Sequence, residues 1–158
     1  MRYYLSLGSN LGDRQRNLTR AVLELERSKV RIRAGSSLYE TQPVEVPDQP
    51  WFLNRVLRID TELTPFELLG LAKTIEKKLG RRPTARKGPR RIDIDILLAE
   101  DAVISTELLT IPHPRMHLRN FVLVPLQEIA ADEVHPAFKK TIRELLCESR
   151  DTSVVRRI

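Results

Sequence analysis

The 158-residue chain has a single cysteine, Cys147, which can form neither an intrachain disulfide nor, by itself, a thiolate metal site. No apolar stretch approaches the ~20 residues that a membrane helix needs. The longest apolar runs are short, such as Ile96-Leu97-Leu98-Ala99. The start, Met1-Arg2-Tyr3-Tyr4-Leu5, lacks the charged segment and long apolar stretch of a secretory leader, so a reducing cytoplasmic compartment is expected. Aromatic residues make up only 5%, and the Lys/Arg-Gly-Phe-Gly-Phe stretch of an RNA-binding sheet is missing. There is no Walker-type Gly-x-x-x-x-Gly-Lys-Ser/Thr, and Gly8 to Gly12 is not a dinucleotide fingerprint. Any nucleotide must therefore be held by side chains and metal more than by a glycine nest.

What is present is the mixture of a folded protein, 41% hydrophobic and 30% charged, with no internal repeat. Residues 1–158 read as one domain. The net charge of +6 favours a polyanionic partner, whether nucleic acid, anionic lipid or nucleotide phosphate.

Tyr3 to Leu7 predicts a strand, and Asp13 caps a helix running to about Ser28 with Leu18, Ala21, Val22 and Leu25 on one face. Val30 and Ile32 alternate with arginines, as Leu57, Ile59, Thr61 and Leu63 do with charged residues, giving two half-exposed strands. Between them, Thr41 to Pro50 is a breaker-rich loop. Thr64-Pro65-Phe66-Glu67 combines a capping box with proline at the first helical position. The helix that it opens carries Leu68, Leu69, Ala72, Ile75 and Leu79 and stops at Gly80. A basic loop to Arg91 and a strand from Ile92 to Leu98 complete a β-α-β-β-α-β order. The fold class is thus α+β, with a ferredoxin-like core. A hairpin near Val103–Ile104 and Leu108–Ile111 and short helices at Leu123–Ile129 and Thr141–Glu148 extend it.

The informative segment is Gly88-Pro89-Arg90-Arg91-Ile92-Asp93-Ile94-Asp95-Ile96. Residues two apart in a strand share a side. Ile92, Ile94, Ile96 and Leu98 should line an aliphatic face, with Asp93 and Asp95 together on the other, roughly 6.5–7 Å apart. Neighbouring carboxylates on an apolar strand suggest a cation between them. Hard oxygen ligands so few in number suit Mg2+, which takes the rest of its shell from water and phosphate. The plainer alternative is a solvated face on which both aspartates pair with Arg90 and Arg91. The basic loop, with Arg81, Arg82, Arg86 and Lys87, reads as solvated surface, as a nucleic-acid patch, or as a lid that closes on phosphates.

These segments resemble a known family over essentially the whole chain. The matching pieces are Leu7-Gly8-Ser9-Asn10-Leu11-Gly12, Tyr39-Glu40-Thr41, Gln49-Pro50-Trp51-Phe52-Leu53-Asn54 and Ile75-Glu76. They continue with Gly88-Pro89-Arg90-Arg91-Ile92-Asp93-Ile94-Asp95, Ile111-Pro112-His113 and Arg119-Asn120-Phe121-Val122-Leu123-Val124-Pro125-Leu126. Together they are similar to the 6-hydroxymethyl-7,8-dihydropterin pyrophosphokinases of folate biosynthesis. The resemblance implies transfer of the terminal diphosphate of ATP to the pterin hydroxymethyl group, leaving AMP, with two Mg2+ ions on Asp93 and Asp95. It implies a pterin between Phe52 and Phe121, with Asn54, Thr41 and the backbone near Gly8 and Val44 completing the slot. ATP contacts carry over to Glu76, Arg81, Arg86, Arg90, Ile96, Thr110, His113 and Arg119, with Arg81 and Arg90 closing on the transferred phosphates. Pterin and ATP are the expected partners, with no nucleic acid and no membrane. The expected state is a monomer, with a homodimer as the alternative. His113 and His117 have the spacing of zinc ligands on a helix, but Pro112 and Pro114 argue against a regular helix there. His113 reads better as a phosphate donor, and His117 and His135 as surface residues.

Overall fold

Strand β1 (Arg2–Ser9) is buried from its second residue onward, as an interior strand of the main sheet. In the computed structural model, which describes residues 1–44, 46–80 and 89–158, β1 pairs antiparallel with β4 (Phe52–Asp60) and with β5 (Asp93–Ala99). The strands β2 (Arg31–Gly35) and β3 (Tyr39–Thr41) follow one another along the other edge of β4. Across the sheet, the order β5-β1-β4-β2 is the ferredoxin-like arrangement expected from the sequence.

Helices α1 (Arg14–Glu26) and α2 (Pro65–Lys78) cover one face. Their stripes, Leu18, Ala21 and Leu25 on α1 and Leu68, Ala72 and Ile75 on α2, pack onto Tyr3, Leu5, Leu7, Leu57, Ile59, Ile92, Ile94 and Ile96. The helix starts follow the local chemistry. Asp13 accepts the Arg16 N–H at 3.1 Å, and Thr64 and Glu67 form the reciprocal capping box. The other face carries a second core, in which Tyr4, Val56, Leu97 and Leu98 meet Met116, Val122, Leu123, Leu126, Ile142 and Leu145. Most of these last residues belong to α3 (Asn120–Ala130) and α4 (Ile142–Glu148). The expected hairpin is present as β6 (Ile104–Ser105) with β7 (Thr110–Ile111), and a second one pairs β8 (Val134–His135) with β9 (Lys140–Thr141).

Several expectations need correction. The third strand runs from Phe52 to Asp60, not from Leu57 to Leu63. Thr61 leaves the sheet and its hydroxyl accepts the Leu63 N–H at 3.2 Å, turning the chain into the α2 cap. Strand β3 and a last strand, β10 (Val155–Arg157), had no alternation long enough to announce them, since each has three residues. Leu98 does not continue the face of Ile92, Ile94 and Ile96. The register of β5 against β1 shifts between Tyr4 and Leu5, leaving Leu97 as an extra residue, and this bulge places both Leu97 and Leu98 in the second core. His135 is no surface residue: it is 2% exposed, packed at 4.6 Å on Phe138, with its Nδ1 accepting the backbone N–H groups of Ala137 and Phe138.

Leu5 is fully buried in the first core, so Leu5→Ala should cost about 3 kcal/mol in urea unfolding. Thr64→Ala, which removes an exposed cap, should cost about 1 kcal/mol. A reversed ranking would refute this division between packing and capping.

Candidate active site

Helices α3 and α4 cover only part of the second face. The rest of that face carries Ser6 and Gly8 of β1, Phe52 and Asn54 of β4, and Asp93 and Asp95 of β5. The register explains the grouping. Gly8 stands between Asp93 and Asn54, and Ser6 between Asp95 and Val56, so these side chains fall in two adjacent rows on one face. They line a cleft of about 620 Å³, open mouth included. Its walls are Thr41, Gln42, Pro43, Val44, Val46 and Gln49 on one side and Arg119 and Phe121, at the start of α3, on the other. Arg90 closes the end nearest the aspartates.

The cleft has two halves of different chemistry. Phe52, Phe121, Pro43 and Val44 make one half apolar. Asn54 at its floor donates to the Thr41 hydroxyl at 2.5 Å. Gly8 leaves room beneath it: a Cβ there would lie 2.6 Å from Asn54 Oδ1, and the amide would have to move. The other half is charged. Arg90 Nε lies 3.5 Å from Asp93 Oδ2, and its guanidinium sits 5.1 Å from the centre of the Phe52 ring. The Arg119 guanidinium sits 5.5 Å from the centre of the Phe121 ring.

Burial, reinforced by the charges of Asp93 and Glu76, pushes Asp95 up to about 7. Arg119 and Arg90 offset only part of this. Burial likewise pushes His113 down to about 4, helped by the nearby Arg119 charge, so its ring is neutral. His113 Nδ1 accepts the Arg115 N–H at 3.2 Å, which leaves the ring proton on Nε2 as a donor.

The structure brings Gly8, Thr41, Val44, Phe52, Asn54, Arg90, Asp93, Asp95, Arg119 and Phe121 together around the cleft. Glu76, Ile96, Thr110 and His113 do not line it. Three of these flank the outer edge of β5. The buried Glu76 carboxylate accepts the Ile94 N–H at 2.8 Å and lies 3.7 Å from Lys73 Nζ. His113 donates its own N–H to the Leu97 carbonyl at 2.9 Å, and Thr110 stands on β7, which packs beside β5. The Ile96 side chain is buried in the first core, leaving its backbone for any contact at that edge. Arg81, Arg86 and the other expected lid residues to Gly88 lie outside the described residues.

One residue of the site was quoted above only as part of a motif. Asn10, almost fully buried, accepts the Arg90 N–H at 2.8 Å and donates to Gln49 Oε1 at 2.9 Å and to the Pro50 carbonyl at 3.0 Å. It thereby joins the turn after β1, the loop before β4 and the approach to β5. Ser6 was also missed, although its alternation with Gly8 could have placed it on the cleft face.

The family model for 7,8-dihydro-6-hydroxymethylpterin-pyrophosphokinase (HPPK) matches residues 4–131. The chain belongs to this family. Among its relatives, the 2-amino-4-hydroxy-6-hydroxymethyldihydropteridine pyrophosphokinase of Bacillus subtilis is 51% identical over 127 residues, covering 80% of this chain and 76% of that protein. The enzyme of the same name from Methylorubrum extorquens is 47% identical over 156 residues, covering 98% of each. The folic acid synthesis protein fol1 of Schizosaccharomyces pombe is 44% identical over 144 residues, and there the chain spans only 20% of the relative's length. A crystal structure of an HPPK-DHPS in complex with substrates superposes on 91% of this chain and 42% of that one, with a TM-score of 0.75 at 16% identity, a likeness of fold. The HPPK resemblance drawn from the motifs is thus borne out.

The raised Asp95 carboxyl gives a test that needs no activity. In the unfolded chain it loses its proton at about 4, in the folded chain at about 7. Folding takes up a proton between those values, so this group's effect on stability worsens as pH rises through the window and levels off above it. His113 and His135, both pushed down, act in the opposite direction over part of that range. The comparison with Asp95→Asn isolates the carboxyl: in metal-free buffer, Tm of the variant minus Tm of the wild type should grow from about pH 5 to about pH 8. A difference that is flat in pH would refute the shift.

Proposed function

We propose that the chain transfers the terminal diphosphate of ATP to the hydroxymethyl group of 6-hydroxymethyl-7,8-dihydropterin, giving AMP and the pterin diphosphate in folate biosynthesis. Family membership supports the reaction. The observation that carries the site assignment is the two-part cleft, in which Asp93 and Asp95 face the same space as Phe52, Asn54 and Phe121.

The donor set fits Mg2+. Two carboxylates stand one row apart, and burial with mutual repulsion keeps a proton on Asp95 up to about 7, a penalty that a dication would lift. Among the described residues no cluster of three or more His, Cys, Asp or Glu could hold a metal alone. A two-carboxylate site of this kind draws its remaining ligands from water and phosphate. Bound there, the expected pair of Mg2+ ions would offset phosphate charge and ease loss of the hydroxyl proton.

The side chains divide the rest of the work. Phe52 and Phe121 offer flat apolar surface to a heteroaromatic ring, while Asn54 and Thr41 present polar atoms to its edge. Gly8 and Val44 shape the slot. The hydroxymethyl oxygen bonds to the β-phosphorus as the bond from that phosphorus to the α–β bridging oxygen breaks, and the hydroxyl proton is lost. Arg90 and Arg119, at the charged end, suit the transferred phosphates as fork-shaped donors. Arg81 and Arg86 are assigned to the same role. His113, neutral with its proton on Nε2, donates to a phosphate oxygen. Together with Glu76, Thr110 and the Ile96 backbone it is assigned to the nucleotide, along the outer edge of β5. Filling the cleft displaces water, a competing acceptor.

We take a monomer as the working unit, and β10 joins the same sheet as β1, which supports residues 1–158 acting as one domain. Among the described residues no helix is long and apolar enough to cross a membrane. We assign the chain to the cytoplasm.

Asp95→Ala, with a circular dichroism spectrum like that of the wild type, should lose AMP formation by about a thousandfold or more. Full activity in this variant would end the assignment. Mg2+ affinity, measured calorimetrically with an ATP analogue, should weaken as pH falls below about 7, because the proton and the metal compete for Asp95. Gly8→Ala should raise the pterin KM by about tenfold by displacing Asn54. An unchanged KM would show that Asn54 does not read the pterin.

A further inference from the structure

The segment after α4 touches both walls of the cleft. At its start, Asp151 Oδ2 accepts the Asn120 N–H at 2.8 Å, Asn120 Nδ2 donates to the Asp151 carbonyl at 3.0 Å, and the Ser149 hydroxyl donates to Asn120 Oδ1 at 2.6 Å. Asn120 begins α3 and directly precedes Phe121. Ser153 donates its N–H and hydroxyl to Asp151 Oδ1 at 2.9 and 2.7 Å, which bends the chain toward the opposite wall. There Val154 and Gln42 exchange hydrogen bonds at 3.1 and 3.0 Å, and β10 pairs with β3 so that Val155 lies opposite Thr41 and Arg156 opposite Glu40.

The last contact reaches the other ring. Glu40 accepts Arg156 at 2.6 Å on one oxygen and Arg14 at 3.0 Å on the other. Arg14 also donates to the Trp51 carbonyl at 3.0 Å, and the Arg156 guanidinium lies 5.9 Å from the centre of the Trp51 ring. Trp51 directly precedes Phe52. The same short stretch of chain is therefore fastened next to Phe121 at one end and next to Phe52 at the other. It also lies beyond residues 4–131, the part matched by the family model.

We propose that Ser149–Arg157 is a strap that sets the separation of the two aromatic walls, with Asp151 and Arg156 as positioning residues for pterin binding. The proposal rests on the pterin reading of the cleft. Fixing two walls in advance removes an ordering cost from ligand binding and leaves the chemistry at the aspartates untouched.

The test uses the full chain and two variants, Asp151→Ala and Arg156→Ala. Binding of 6-hydroxymethylpterin is measured by calorimetry with Mg2+ and α,β-methylene-ATP, and pterin KM, ATP KM and kcat by steady-state kinetics. Each variant should weaken pterin binding and raise pterin KM by about fivefold or more, with kcat and ATP KM within roughly twofold of wild type. Asp151→Asn, which keeps an acceptor for the Asn120 N–H, and Arg156→Lys, which keeps the charge on Glu40, should recover most of the loss. Trp51, the lone tryptophan, should change its emission in Arg156→Ala. Should Asp151→Ala fail to fold, Arg156→Ala decides, since that side chain is 63% exposed. Pterin binding within about twofold of wild type in Arg156→Ala, or a parallel loss of kcat and both KM values, overturns the strap and leaves the functional reading standing. A wild-type chain that binds no pterin overturns the functional reading and the strap with it.

Discussion

Holding Asp93 and Asp95 on one face of β5, inside a cleft rather than in open solvent, is unfavourable for the protein alone. Burial and the neighbouring acids keep a proton on Asp95 up to about 7. Much of the surrounding structure bears on that cost. Arg90 approaches Asp93 directly, Arg119 offsets part of the charge on Asp95, and Asn10 fixes the backbone from which Arg90 projects. The arginines do not neutralise the pair fully. The residual repulsion is the penalty that, in the proposed function, a bound dication would lift.

The sheet that carries this pair serves two purposes on a single face. Tyr4, Val56, Leu97 and Leu98 lie under α3 and α4 and form a core, while Gly8, Asn54, Phe52 and the aspartates, a few residues away on the same strands, remain open to the cleft. Helix α3 defines the border. Its buried side contributes Val122, Leu123 and Leu126 to packing, and its first turn presents Phe121 and, just before it, Arg119 to the site. The packed core and the open cleft are therefore neighbouring stretches of the same strands.

The features legible in the sequence were those with strong local causes. Alternation in Ile92–Ile96 placed the aspartates opposite the aliphatic residues, and the Thr64–Glu67 box placed the start of α2. The motif resemblance brought Phe52, Asn54 and Phe121 into one slot although long stretches of chain separate them. Features set by tertiary context did not announce themselves. The turn of Leu98 into the second core depends on how β5 meets β1, and the burial of His135 on Phe138 and the backbone of its own hairpin. Strands β3 and β10 are too short to show a period and exist because they pair with each other and with β4. The role of Asn10 depends on partners in two other segments, Gln49 and Pro50 in one and Arg90 in the other, which no local pattern around it could indicate.

Strand β5 carries one residue more than β1 pairs with. Between Ile96 and Leu98 the strand accommodates Leu97 without a partner on β1, and regular pairing resumes with Leu98 opposite Tyr4 and Ala99 opposite Tyr3. The phase of the strand upstream of that point is thereby uncoupled from the phase downstream. Loss of this single residue would restore strict pairing, keep Tyr4 and Tyr3 against the same neighbours, and leave both acids pointing where they do now. The edge strand thus contains a built-in joint, at which one residue can be gained or lost without turning the two acids to the other face.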